Sequence, residues 1–267
     1  MTTTAPDLLA TIVAAARRIT ELRAEAMPLA QVERAASMRS PNGAAFLAAL
    51  RDGPSPRVIA ECKRRSPSRG ILRQDYDAAA HARAYAAAGA AAISVLTEPT
   101  FFDGALEHLA AVRDAVSVPI LRKDFIVTRY QVLEAAMAGA DAVLLIVGAL
   151  APAELRELLG VARDAGLAAL VEAHDEAELR IAGEAGAAII GLNSRNLRTL
   201  AVEPELHERL APRLPDGTVA VAESGLRDAA DLTRLQRAGY HAFLVGERLI
   251  VHPDPGAALR ALRGAHA

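Results

Sequence analysis

Beyond residue 57 the chain repeats one arrangement of apolar and polar positions: a short β-prone apolar run, a polar break, an alanine-rich stretch with helical spacing, and often a glycine. Eight apolar runs read as strands, at residues 58–62, 92–96, 118–121, 142–147, 168–171, 188–192, 219–222 and 242–245. Helical spacing fills the intervals at 75–88, 106–115, 131–138, 154–165, 176–184 and 229–238. Gly89, Gly139, Gly166, Gly186 and Gly239 each follow a helical stretch and precede a strand, where a left-handed C-cap is expected. The runs are continuously apolar, so both faces of the sheet must be covered, which implies parallel strands with helical crossovers. Eight such units predict an α/β fold, a (β/α)8 TIM barrel. No G-x-G-x-x-G follows the first strand, as a dinucleotide-binding sheet would require.

The amino-terminal part lacks strand patterns. Residues 7–26, a segment after Pro28 and residues 43–50 read as helices, and DGPSP at 52–56 is turn chemistry. The expected organisation is a single barrel domain over residues 1–267, of which about 1–52 is a helical extension.

Composition narrows the function classes. Hydrophobic residues make up 52% of the 267 positions but aromatics only 3%, so alanine, valine, leucine and isoleucine must pack the core. A net charge of −2 gives no bulk attraction to nucleic acid or anionic membrane, and the basic run at 63–65 reads as a solvated loop. A single cysteine excludes an intrachain disulfide, and the seven histidines lack metal-ligand spacing, so a metal-free, cytoplasmic protein is expected. The apolar stretch at 8–16 lacks a basic leader and runs into Arg17 and Arg18, which fits an amphipathic helix and neither a signal peptide nor a membrane span.

The polar residues collect at strand ends. In PILRKDFIV, at 119–127, alternation puts Leu121, Lys123 and Phe125 on one face and Arg122 with Asp124 on the other. Taken alone, Lys123 reads as a salt-bridged strand-end lysine. Yet Glu61 with Lys63, Glu172, Asn193 with Arg195, and Glu223 with Ser224 stand at equivalent ends, which converge on one mouth of a barrel. Cys62 lies on the opposite face from Glu61 and Lys63, as a small core residue of the helical shell. Gly225 and Gly246 follow strands seven and eight, where barrels commonly bind phosphate through backbone amides. The loop SPSRG at 66–70 fits either a mobile lid or an ordinary linker.

These residues carry a resemblance. ECKRRSPSRG, ISVLTEPTFFDG, PILRKDFIV, LVEAHDEAEL, IIGLNSRNL, VAESGL and FLVGERL occur in the order seen in indole-3-glycerol phosphate synthases, over about residues 30–255. The resemblance implies a carbon–carbon lyase of tryptophan biosynthesis: ring closure, decarboxylation and dehydration of 1-(2-carboxyphenylamino)-1-deoxyribulose 5-phosphate, without cofactor or metal. By that resemblance Lys123 is the general acid for the first step, and a neighbouring cation is expected to lower its pKa while leaving it charged. Lys63 contacts the substrate's phosphate and carboxylate and is a second candidate acid; Glu172 takes part in proton transfer. Glu61 and Glu223 orient the lysines, and Asn193 positions Glu172 or a substrate hydroxyl. Ser66, Arg195, Ser224, Gly225, Gly246 and Glu247 are expected to bind substrate, with Phe102 and Phe125 around its aromatic ring. Cys62, Arg69, Asn196 and Glu247 depart from the family pattern, and Glu247 beside Gly246 places negative charge near the phosphate.

The implied partner is a phosphorylated small molecule, with no nucleic acid and no membrane. A monomer is expected, with weak self-association or contact with other tryptophan-pathway enzymes left open. Three rival readings remain: a Schiff-base aldolase with Lys123 as nucleophile, a phosphoribosylanthranilate isomerase, which the shell-facing Cys62 opposes, and a barrel kept as a binding module.

Overall fold

A computed structural model describes residues 7–264. Eight parallel strands close into a barrel: β1 Arg57–Cys62, β2 Ala92–Leu96, β3 Ile120–Lys123, β4 Ala142–Ile146, β5 Ala168–Ala173, β6 Ile189–Asn193, β7 Val219–Glu223 and β8 Ala242–Val245. Each pairs with its neighbour in sequence and β8 pairs back to β1, so no strand edge is left open. The expected (β/α)8 architecture is therefore observed, together with the helical segment at the amino terminus.

Alternation along the strands sorts the core into two layers. Ile59, Leu121, Leu144, Leu170, Ile189, Val221 and Leu244 fill the barrel interior. Val58, Ala60, Cys62, Val95, Val143 and Val171 point outward and pack under the helices. Small alanines at the strand starts, Ala92, Ala142 and Ala242, face inward and make room for larger side chains from elsewhere. Gly89, Gly139, Gly166, Gly186 and Gly239 all have positive φ, between 76° and 106°, as their helix-ending positions require.

The extension has three helices, α1 Leu8–Ala26, α2 Leu29–Ser37 and α3 Gly43–Arg51. Asp7 and Asn42 cap α1 and α3 by accepting hydrogen bonds from the amides of Ala10 and Ala45. α3 buries Phe46 and Leu50 among the inward alanines at the strand starts, and a methyl on Gly43 would overlap the backbone of Leu167 and Ala168. α1 instead lays Leu9, Ile12 and Ala16 on the inner layer at the mouth formed by the carboxyl ends of the strands. α2 covers the outer face of the crossover helix Arg129–Ala138, which is consequently buried nearly all round. No helix among the described residues is long and apolar enough to cross a membrane.

Among the described residues, four α-helices fall outside the periodic stretches read from the sequence: Pro99–Phe102, Leu206–Leu210, Glu247–Ile250 and Pro255–Leu262. Three of them are no longer than five residues, too short to show a period.

Candidate active site

Strands β3, β5, β6 and β7 run one to two residues further than their apolar runs suggest, so Lys123, Glu172, Asn193 and Glu223 are strand residues at the mouth. Lys123 Nζ lies 3.2 Å from Glu172 Oε2 and 3.1 Å from Glu223 Oε2. Both carboxylates are almost fully buried, while the lysine is 16% exposed and lines a cavity of about 510 Å³ over the mouth. Lys63, just past β1, pairs with the buried Glu61 at 2.6 Å. Each lysine thus stands on a carboxylate, which fixes a long, flexible side chain in a desolvated position. Two glycines make the arrangement possible. A methyl on Gly191 in β6 would overlap the Glu223 carboxylate, and one on Gly246 would overlap that of Glu61.

The electrostatics correct one expectation. Burial acts to lower the pKa of Lys123, but Glu172, Glu223 and Glu61 outweigh it and raise the value above that of an ordinary lysine. No neighbouring cation governs this side chain. Burial would also raise Glu172, yet Lys123 and His174 hold it below the usual carboxylate range. Glu223 is raised, first by burial and then by the proximity of Glu172. Of the two carboxylates, Glu172 is the one kept ionised.

His174, which was not singled out in the sequence, closes this network. It follows Glu172 by two residues, its Nε2 lies 3.1 Å from Glu172 Oε1, and its Nδ1 lies 3.0 Å from Glu178 Oε2. Burial opposes its charging, but the two carboxylates push its pKa up to about 10. The two-residue spacing, which repeats a face along a strand, was the available signal.

Around this polar floor the cavity is apolar on one side. Phe102 and Phe125 stand 6.1 Å apart between ring centroids, and Leu8 and Ile12 of α1 form part of the roof, a contribution the sequence did not disclose. On the other side, Ser224 and Gly225 adopt consecutive positive φ values of 64° and 70°, forming a tight turn after β7 beside Gly246. The 66–70 loop is a small hairpin whose two strands are Arg65–Ser66 and Gly70–Ile71. Ser66 is buried there, and Arg69 at the tip reaches across to pair with Glu247 at 2.9 Å. Glu247 is thus partnered by a position that itself departs from the family pattern.

One further expectation changes and another narrows. The basic run at 63–65 is no freely solvated loop, because Lys63 pairs with Glu61 while Arg64 and Arg65 lie 2.8 and 3.5 Å from Asp103. Asn193 does not bond to Glu172: its Oδ1 accepts the Arg195 amide at 2.9 Å and shapes the loop after β6. The Arg195 side chain donates to Leu200 O at 3.0 Å, although both Asn193 and Arg195 line the cavity. Cys62 is buried among shell residues, as expected, and burial pushes its thiol pKa far up, away from nucleophilic use.

Similarity to known proteins bears on this arrangement. The chain is 56% identical over 207 residues to an indole-3-glycerol phosphate synthase of Nocardioides sp., covering 78% of this chain and 80% of that one. It is 51% identical over 218 residues to that of Sulfurimonas denitrificans, covering 82% of each. Among solved structures, 3-hexulose-6-phosphate synthase from Salmonella typhimurium superposes with a TM-score of 0.64 at 14% identity, covering 78% of this chain and 97% of that one. At that identity the likeness is one of fold alone. The indole-3-glycerol phosphate synthase family model matches residues 9–262, and the chain belongs to that family.

Proposed function

We propose that the cavity closes the indole ring of 1-(2-carboxyphenylamino)-1-deoxyribulose 5-phosphate, giving indole-3-glycerol phosphate, carbon dioxide and water. The observation that carries this reading is the pairing of Lys123 with Glu172 and Glu223 at the floor of a cavity with aromatic walls on one side and a glycine-rich turn on the other. The anilino ring fits between Phe102 and Phe125. The phosphate fits at the backbone amides of Ser224, Gly225 and Gly246, which line the cavity.

The steps follow from the groups present. The ring carbon bearing the carboxylate attacks the C2′ carbonyl, and Lys123 protonates the oxygen as it becomes an alkoxide. A raised pKa makes Lys123 a weaker acid but keeps it charged, and an alkoxide is basic enough to take the proton. Loss of carbon dioxide then returns the bonding electrons to the ring system. In the last step Glu172 takes a proton from C1′ while Lys63 protonates the departing hydroxyl, which leaves as water. Two protons are given and one is taken, matching the one proton consumed as a carboxylate becomes carbon dioxide.

The aldolase reading is disfavoured by the same contacts. A Schiff base needs a free amine lone pair, and an ammonium held by two carboxylates does not offer one. The test is turnover of the anilino-deoxyribulose phosphate followed by indole fluorescence, in the wild type and in Lys123→Met. A rise with the wild type and none with the variant is expected; equal rates in both would sink the assignment of Lys123.

A further inference from the structure

The Lys123–Glu172–Glu223 cluster leaves His174 without an assigned task. Its imidazole is 11% exposed, is absent from the cavity lining, and sits behind Glu172. Both ring nitrogens face carboxylate oxygens: Nε2 faces Glu172 Oε1 at 3.1 Å, and Nδ1 faces Glu178 Oε2 at 3.0 Å. A neutral imidazole carries one donor and one acceptor nitrogen, so one of these contacts would set a lone pair against an anion; only the imidazolium presents two N–H groups. Glu178 is itself fixed, because its Oε2 also accepts the His174 backbone amide at 2.9 Å and it lies in the first turn of the helix Glu176–Glu184.

We infer that His174 is a positioning residue: as an imidazolium braced by Glu178, it keeps Glu172 ionised at the cavity floor and leaves Oε2 to Lys123. The inference rests on Glu172 being the proton acceptor proposed above. Without a second cation, two buried carboxylates around one lysine share a proton, and either can hold it. With His174 on the far side, Glu172 is flanked by two cations and Glu223 by one, so the shared proton resides on Glu223. The contact with Glu172 Oε1 is an ion pair without hydrogen-bond alignment, so it sets charge first and direction second.

The titratable groups facing the pair come from four elements: Glu172 on β5, Glu178 on the following helix, Lys123 on β3 and Glu223 on β7. The turn Val147–Ala149, packed beside β5, carries none. Removing the imidazolium charge should therefore raise the pKa of Glu172 and move the acid limb of the kcat profile upward.

The experiment compares wild type, His174→Gln, His174→Lys and Glu172→Gln, with kcat and KM measured from pH 5 to pH 9. Because Glu172 is held below the usual carboxylate range, the wild type should show no acid limb down to pH 5, and for His174→Gln a limb is expected to enter the measured range. At pH 5, kcat of this variant should fall by about threefold or more relative to its own value at pH 8, with KM nearly unchanged. His174→Lys restores a cation and is expected to return the limb toward the wild-type position. Equal losses in both His174 variants with an unmoved limb would overturn the inference in favour of a packing role. Full activity in Glu172→Gln would sink the underlying base assignment and this inference with it; an inactive Glu172→Gln beside a wild-type-like His174→Gln sinks only the latter. Should the His174 variants not fold, nitrogen NMR of histidine-labelled wild type decides: an imidazolium at His174 at pH 8 supports the inference, and a neutral ring overturns it.

Discussion

Lys123 stands between two carboxylates that burial disfavours, and removing it has two separate consequences. Lys123→Met should lower kcat by about 10²–10⁴-fold, the usual worth of a positioned acid. It also strips Glu223 of the only cation that contacts it among the described residues. Breaking a buried pair from one side costs about 3–5 kcal/mol when the remaining charge stays ionised. Glu223 is already raised above the ordinary carboxylate range, and the variant raises it further. A group with a raised folded pKa contributes its stability below the unfolded value and loses it as pH rises through the folded one. The urea midpoint of the variant should therefore lie nearest wild type at about pH 5 and fall further behind as pH rises past about 8, the value to which Glu223 is raised; a gap independent of pH would refute the coupling. Gly191→Ala tests the same site from a neighbouring strand: its methyl displaces the Glu223 carboxylate, so kcat should drop at least about tenfold while the protein stays folded by circular dichroism. These residues differ in how readily they are seen in the sequence. A lysine or glutamate ending an apolar run is conspicuous, whereas Gly191 matters only because Glu223 leans across it from the adjacent strand, a relation that register alone creates.

Among the elements, strands and long helices were legible because continuous apolar runs and helical spacing are opposite patterns. Strand ends were not, since Lys123, Glu172, Asn193 and Glu223 end the apolar run without ending the hydrogen-bonded ladder. The helix Arg129–Ala138 shows the converse. Its uniform burial follows from α2 lying over it, and its buried Glu134 is satisfied by Arg122 of β3 at 2.9 Å and Arg23 of α1 at 3.1 Å. The helix Ala229–Arg237 offers a cleaner test of element-level electrostatics. Asp231, in its first turn, accepts from the Arg227 amide and pairs with Arg227 and Arg234. Burial would raise its pKa, but these partners hold it at about 2, against an ordinary 3.8. A depressed carboxylate contributes stability above its unfolded pKa and loses it as pH falls through the folded one. Both arginines are largely exposed and screened, so Asp231→Asn should cost only about 1 kcal/mol at pH 7. That difference should shrink through about pH 4 and vanish near about pH 2 in urea titrations; a difference that persists there would mean that the asparagine disturbs packing instead.

Across the whole molecule, the amino-terminal helices close the barrel at both ends, and the two closures serve different purposes. α3 seats Phe46 and Leu50 at the strand starts, far from the charged residues, where the inward alanines leave space that the barrel's own strands do not fill. α1 covers the other end, and there its Leu8 and Ile12 are cavity wall as well as core. Ion pairs tie α1 down without reaching the chemistry: Arg23 to Glu134, Arg17 to Glu154, and Arg198 of the loop after β6 to Asp7. In a barrel of this kind stability is concentrated at the amino end of the strands and function at the carboxyl end, so equivalent truncations of the two helices should separate. Phe46→Ala should cost about 3–5 kcal/mol in urea unfolding, with kcat and KM unchanged below the melting range, because the void it opens lies on the far side of the core. Ile12→Ala should cost about 2–4 kcal/mol and also raise KM, because the missing methyls belong to the surface that meets substrate. A KM unchanged in Ile12→Ala, or raised in Phe46→Ala, would show that the extension does not divide its work between the two ends in this way.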